Sequence, residues 1–289
     1  MSVAGDTGYL ANTLALINAQ ALLQLDKVSV TRNLVSVKSA PKADTLSWIV
    51  YNDGSHIINA ADVAATAEGT VTPTSKLSSA KKTATLDMYS VSTDLYDEAK
   101  FSNADNPEES IGIILGNAMA AAIDTLINAN FANFTNTVGT STVGVTVDNL
   151  FSALAYIEVY QHLGEIYGVF DRRQLWGTYG LMNDLITSNQ FGGSPAIQSE
   201  GLMNGFVNKV AGINLYNSNT LAAAASSAQK AGIFTREALG WAWSGPSEIR
   251  VSRDYEPRYL RDVWVASSHC GTCEIKDSAG VYVHTKVTA

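Results

Sequence analysis

Residues 105–134 read DNPEESIGIILGNAMAAAIDTLINANFANF, and no other segment restricts the fold as tightly. Asn106 has the side chain of an N-cap, Pro107 suits the first helical position, and Glu109 completes a capping-box pattern. Ile111, Leu115, Ala118, Ala122 and Leu126 then recur at helical spacing, which predicts a long helix with one apolar stripe. Gly112, Gly116 and Ala120 form a second stripe of small residues, which lets another backbone approach closely. Such a helix needs a large partner surface, and the pattern names no chemistry.

Residues 64–86, AATAEGTVTPTSKLSSAKKTATL, impose the opposite constraint. Their only branched or long apolar residues are Val71, Leu77 and Leu86, too few to offset the entropy of ordering the segment. Over the whole chain of 289 residues, 46% are hydrophobic but only 16% are charged. Roughly 25% charged is usual for a globular protein, so the deficit suggests polar surface covered by something, self-association being the simplest cover, although small residues alone also produce such a composition. The net charge of -8 argues against a DNA-gripping surface, and the densest basic groups are only Lys81-Lys82 and Arg172-Arg173. The N-terminal residues lack a basic region followed by an apolar one, and no run is read as approaching the ~18 apolar residues of a membrane span. Two cysteines cannot make a disulfide framework, so synthesis in a reducing cytoplasm is expected.

The remaining pattern predicts a mixed α+β chain. A helix is expected over 12–26, with Leu14, Ile17, Ala21 and Leu25 on one stripe. Strands are expected over 28–38 and 46–51, the second closed by the turn signal Asn52-Asp53-Gly54. Alternation returns from Thr83 through Leu86, Met88, Val91 and Leu95. Further on come a helix over 146–160, a strand over 164–171, a helix from Arg172 and a strand over 211–219. Residues 221–231, LAAAASSAQKA, read as loop or short helix. Four short strands are expected after residue 246, in SEIRVSRD, YLRDVWVASS, CEIKDSA and VYVHTKVTA.

A search for chemistry returns no catalytic, cofactor-binding or metal-binding residue. Cys270-Gly-Thr-Cys273, beside His269 and ahead of His284, is a single pair where a structural zinc site needs four ligands. The surrounding alternation suggests a hairpin, not the helix mouth that a redox pair requires, so two buried or half-buried thiols are expected. Glu158 and His162 are a surface pair without the metalloprotease HExxH pattern. Asp171-Arg172-Arg173 reads as a helix cap with a structural ion pair. No GxSxG elbow, phosphate loop or GxGxxG fingerprint occurs.

The order of elements resembles the major capsid proteins of tailed phages, the Hong Kong 97-type fold. Two segments carry the resemblance. DLYDEAKFSNADNPEESIGIILGNAMAAAIDTLINANF resembles the strand and spine helix of that family's peripheral domain. FTREALGWAWSGPSEIRVSRDYEPRYLRDVWVASSHCGTCEIKDSAGVYVHTKV resembles its closing segment, in which a helix or turn leads to a strand. The resemblance implies an N-terminal arm at 1–44, an extended β-hairpin loop at 45–100, a peripheral domain at 101–140 with 249–289, and an axial α/β domain at 141–248. It implies a non-enzymatic subunit that assembles with itself into hexamers and pentamers, forming an icosahedral virion shell in the host cytoplasm. The implied partners are a separate scaffolding protein, a portal and a decoration protein, around DNA packaged without sequence-specific binding. No membrane and no cofactor enters. Some members of the family fuse subunits through Lys–Asn bonds. Lys76, Lys81 and Lys82 lie in the corresponding loop, but no matching motif surrounds them. An encapsulin-type compartment and a cytosolic α/β enzyme are the competing readings.

Overall fold

The computed structural model describes residues 6–51, 79–102, 107–159, 164–187, 209–221, 223–224 and 228–287. Helix α1 spans Asp6–Val28, and a 3-10 turn at Thr31–Leu34 leads into strand β1, Ser36–Ala40. Strands β2 (Thr45–Tyr51) and β3 (Ser79–Thr85) pair with each other, and β4 (Asp87–Tyr96) runs on into short helix α2, Asp97–Ser102. The long helix α3 is Pro107–Ala129. Strand β5 (Thr137–Val138), helix α4 (Val147–Val159), strand β6 (Ile166–Phe170) and helices α5 (Arg172–Trp176) and α6 (Leu181–Thr187) follow. Strands β7 (Lys209–Val210), β8 (Ile213–Asn217), β9 (Ala223–Ala224) and β10 (Ala228–Thr235) lead to β11 (Leu239–Ser244), β12 (Arg250–Glu256), β13 (Arg261–Glu274) and β14 (Gly280–Lys286).

Two sheets and two helical layers organise these elements. The first sheet has the order β1-β11-β13-β12, with β4 on the other side of β13. Helices α1 and α3 cover one face of it, and Ile17, Leu25, Leu115, Met119, Trp241 and Trp264 meet in one core. The second sheet has the order β5-β14-β10-β6-β8-β7, and its core joins α4 to Phe170, Ile213, Ile233 and Val281. The small-residue stripe of α3 fits α1 closely. A Cβ built on Gly112 would lie 2.9 Å from the Ile17 carbonyl oxygen, and one on Gly116 would lie 2.8 Å from that of Ala21. Glycine is what admits the second backbone.

Several expectations need correction. The apolar stripe of α3 holds at Ile111 and Leu115, but Ala118 is exposed; the buried row continues through Met119, Ile123 and Ile127. Steps of four residues, not alternating threes and fours, keep that row against both α1 and the sheet. Residues 110–133, with mean hydropathy 1.7, are long and apolar enough to cross a membrane, which no run was expected to be, and half of that apolar stretch is buried within the fold. The strand expected over 28–38 is the end of α1, a 3-10 turn, and a strand only from Ser36. The helix expected from Arg172 is two short helices broken between Gly177 and Gly180. Alanine-rich 221–231 contributes β9 and the start of β10, because pairing with β14 outweighs the helical preference of alanine. Two expected strands, YLRDVWVASS and CEIKDSA, are one 14-residue strand through Glu274. The CGTC pair therefore lies along β13, not at a hairpin. Of the helix or turn expected before β11, the structure has the turn, at 236–238, which carries the chain from one sheet to the other. The N-cap reading of Asn106 and the turn signal at 52–54 lie outside the described residues.

Candidate assembly surfaces

The ribbon β2–β3 stands apart from both sheets as a two-stranded unit. Its alternation points Trp48, Val50 and Ala84 toward Leu86, Ala242 and Ile275, a small core at the ribbon's foot. The Lys38 ammonium lies 5.2 Å from the Trp48 ring centroid and donates to the Ser47 carbonyl at 2.8 Å. On the opposite face Ile49 and Tyr51 are 62% and 57% exposed, and Lys81 sits across from Ile49. Large apolar side chains left open on a narrow ribbon favour contact with another surface. A cleft of about 640 Å³ lies beside this ribbon, lined by Trp48, Tyr51, Tyr167, Arg236 and Glu237. Lys81 and Lys82 point to opposite faces of the ribbon, opposite Ile49 and Trp48 respectively.

A buried polar clip fixes the exit of α1. Asp124, 3% exposed, accepts hydrogen bonds from Ser29 Oγ at 2.7 Å, the Val30 amide at 2.8 Å and the Arg32 amide at 3.2 Å. Thr31 Oγ1 donates to Asn128 Oδ1 at 2.8 Å, and Asn128 Nδ2 donates to Thr220 Oγ1 at 3.0 Å. These bonds draw 29–34 into its tight turn, which is why β-branched residues there do not form a strand. Arg32 then grips buried Glu248, which also accepts from Trp241 Nε1 at 2.8 Å. Burial alone would lower the Arg32 pKa, but hydrogen bonding and charge from Glu248 and Asp26 leave it raised. Sequence reasoning missed this clip. The signal was available: after Glu109, Asp124 is the only charged residue in α3.

A second cluster ties α2 to the hairpin of β12 and β13. The Asp262 side chain is fully buried between Lys100 and Arg253, whose Nη2 donates at 2.6 Å. Lys100 also pairs with Asp97, and Tyr255 Oη donates to Asp97 at 2.8 Å. The Lys100 bond first, then that of Tyr255, holds the Asp97 carboxyl below its ordinary range. Cations and carboxylates are matched here around a hairpin, with no nucleophile among them.

The suspected chemical residues are brought to no common point. Cys270 is buried and Cys273 half-buried, both free, and burial pushes each thiol up to about 11. That suppresses the thiolate needed for metal binding or redox exchange. Three residues apart on one strand, they face opposite sides of the sheet. His269 Nε2 is 3.1 Å from the Leu86 carbonyl oxygen, and His284 stacks on Tyr282 with ring centroids 5.7 Å apart. No group of three His, Cys, Asp or Glu residues is placed to hold a metal ion among the described residues. Glu158 closes α4, while His162 lies outside the described residues. Asp171 caps α5 through a full capping box with Gln174 and pairs with Arg173, as its reading implied. Lys81 is exposed and Lys82 half-buried on β3; Lys76 is not among the described residues.

No family model and no curated protein matches the chain in sequence. Solved structures match it over nearly its whole length. The capsid structure of cyanophage P-SCSP1u is similar with a TM-score of 0.65 at 15% identity, covering 90% of this chain and 89% of the other. A chain of Mycobacterium phage Che8 gives 0.65 at 16% identity, covering 88% and 90%. The SrpI encapsulin of Synechococcus elongatus PCC 7942 gives 0.60 at 12% identity, covering 90% and 88%. With its spine helix, mixed sheets and separate ribbon, the chain has the fold of the tailed-phage major capsid proteins.

Proposed function

We propose that the chain is a structural shell subunit, which assembles with itself into hexamers and pentamers of an icosahedral capsid around a DNA genome. One observation carries this reading: a capsid fold that holds its large apolar residues Ile49 and Tyr51 open on a two-stranded ribbon. A ribbon of that size is marginal by itself and gains partners once laid on a neighbour. In this reading residues 1–44 act as the arm, 45–100 as the extended loop, 101–140 with 249–289 as the peripheral domain, and 141–248 as the axial domain. The subunit is not an enzyme. Its acidic balance keeps packaged DNA from adhering to the wall, since like charges repel. Assembly takes place in the host cytoplasm with a separate scaffolding protein, a portal and a decoration protein.

The likeness to an encapsulin favours a second reading, a shell around a protein cargo. Negative-stain microscopy of the purified protein, alone and with a co-expressed scaffold, tests both. Closed shells carrying nuclease-protected DNA in infected or lysogenic cells support the capsid. Shells carrying only protein support the compartment, and a monomer under every condition ends both readings.

A further inference from the structure

The first sheet treats its edges unequally. On β12, the Asn18 side chain closes the edge: its Oδ1 accepts from the Val251 amide at 2.7 Å, and its Nδ2 donates to the Val251 carbonyl at 3.3 Å. Strand β1 is short, at five residues, and carries Lys38. Both are ordinary ways to blunt a sheet edge. Strand β4 uses neither. It pairs with β13 through ten consecutive positions, from Asp87 opposite Cys270 to Tyr96 opposite Arg261, without a bulge. Its far edge has no partner strand among the described residues. Between Asp87 and Asp94 the sequence is Met-Tyr-Ser-Val-Ser-Thr, with no proline, glycine or charge to discourage pairing. Ser90 and Ser92 are exposed, and Met88 and Tyr96 are 67% and 51% exposed.

We propose that β4 is a docking edge that pairs antiparallel with β4 of a second copy, across a two-fold axis through Val91. The occupant follows from charge and register. Centred on Val91, the strand places Met88 opposite Asp94, Tyr89 opposite Thr93, and Ser90 opposite Ser92, with Asp87 opposite Leu95. No like charges meet, and the aromatic–β-branched pair is favourable. Tyr89, Val91 and Thr93 share the half-buried face, so that face continues unbroken into the second copy. A centre one residue later would bring Asp87 against Asp97, which like-charge repulsion opposes. This contact is separate from the ribbon and does not depend on what a shell would enclose.

The register makes the test specific. With Cys270 and Cys273 replaced by Ser, Val91→Cys places two thiols opposite each other at a separation suited to a disulfide. Mild oxidation of the full-length protein should give a covalent dimer on a non-reducing gel. Adding Ser90→Lys with Ser92→Lys brings lysines face to face and should lower the dimer yield at least tenfold. Ser90→Lys with Ser92→Glu places opposite charges there and should restore it. Both positions are exposed, so thermal melts should match the parent. Absence of the dimer, equal yields in the two charged variants, or a loss in both overturns the edge pairing. Shell formation is scored separately. Dimers without shells, even with a co-expressed scaffold, keep this contact and sink the capsid reading, whereas shells without the dimer do the reverse.

Discussion

The layer made by α1, α3 and the first sheet differs from the ribbon β2–β3 in where each finds its partners. In the layer, glycines bring two helix backbones together, Asp124 satisfies three donors at once, and the sheet closes the core beneath. Its core is closed by elements of the subunit itself. The ribbon has one anchored face, at Trp48, and presents Ile49 and Tyr51 to solvent on the other. In the proposed shell, its remaining stabilisation comes from a neighbour. The difference teaches that, if the proposed shell forms, the same chain separates folding from assembly, and each should be open to disturbance without the other.

The largest effect should come from shortening the ribbon. Tyr51 and Ser79 lie directly opposite each other, so a two-residue Asn-Gly turn can join them with the register intact. Replacing residues 52–78 in this way should leave circular dichroism and melting near those of the parent. Closed shells should disappear, as read by sedimentation and microscopy. Normal shells would remove the ribbon from assembly, and an unfolded subunit would move the segment into the core.

How far the sequence foretold this division depended on whether the deciding contacts were local. The small stripe of α3 and the strand over 46–51 follow from spacing within a few residues, and the structure keeps them. The turn at 29–34 does not, because its hydrogen bonds go to Asp124, more than ninety positions away. Nor does the start of β10, where pairing with β14 outweighs alanine's own preference. The candidate surfaces were read in the same uneven way. Low apolar content flagged the loop region, while the exposure of Ile49 and Tyr51 depends on which ribbon face meets Ala242 and Ile275.

Within the layer, Asp124→Ala should be the most damaging single change. It strands the Ser29 hydroxyl and the Val30 and Arg32 amides in a site nearly closed to water. A loss of about 3 kcal/mol in a denaturant melt is expected, since each buried donor left unmade costs roughly 1–3 kcal/mol and relaxation recovers part. Gly116→Leu should follow at about 2 kcal/mol, because overpacking a close contact typically costs roughly 1–3 kcal/mol. Either variant melting like the parent would mean that α1 is not part of the folded unit. The line between folding and assembly would then have to be redrawn.

The smallest effect compares the two regions within one strand. Cys270 belongs to the core under α3, while Cys273 packs against the ribbon's foot. Burial raises both thiols to about 11, so each reacts slowly at pH 8 while the protein stays closed. The sign for stability follows. The folded state holds these protons more tightly than the unfolded chain does, so the stability they contribute is present below pH ~8.5 and is lost as pH rises toward 11. Cys273→Ser isolates Cys270, and Cys270→Ser isolates Cys273. In free subunits below the alkaline limb, Cys273 should label faster with a thiol reagent, because lifting the ribbon's foot requires only a local opening. Cys270 should label only with global unfolding, and denaturant should accelerate it more steeply. Assembly should slow Cys273 alone, since a neighbour would then hold the ribbon down. Equal rates with equal denaturant dependence would show that ribbon and layer open together, and the two regions would be one cooperative unit.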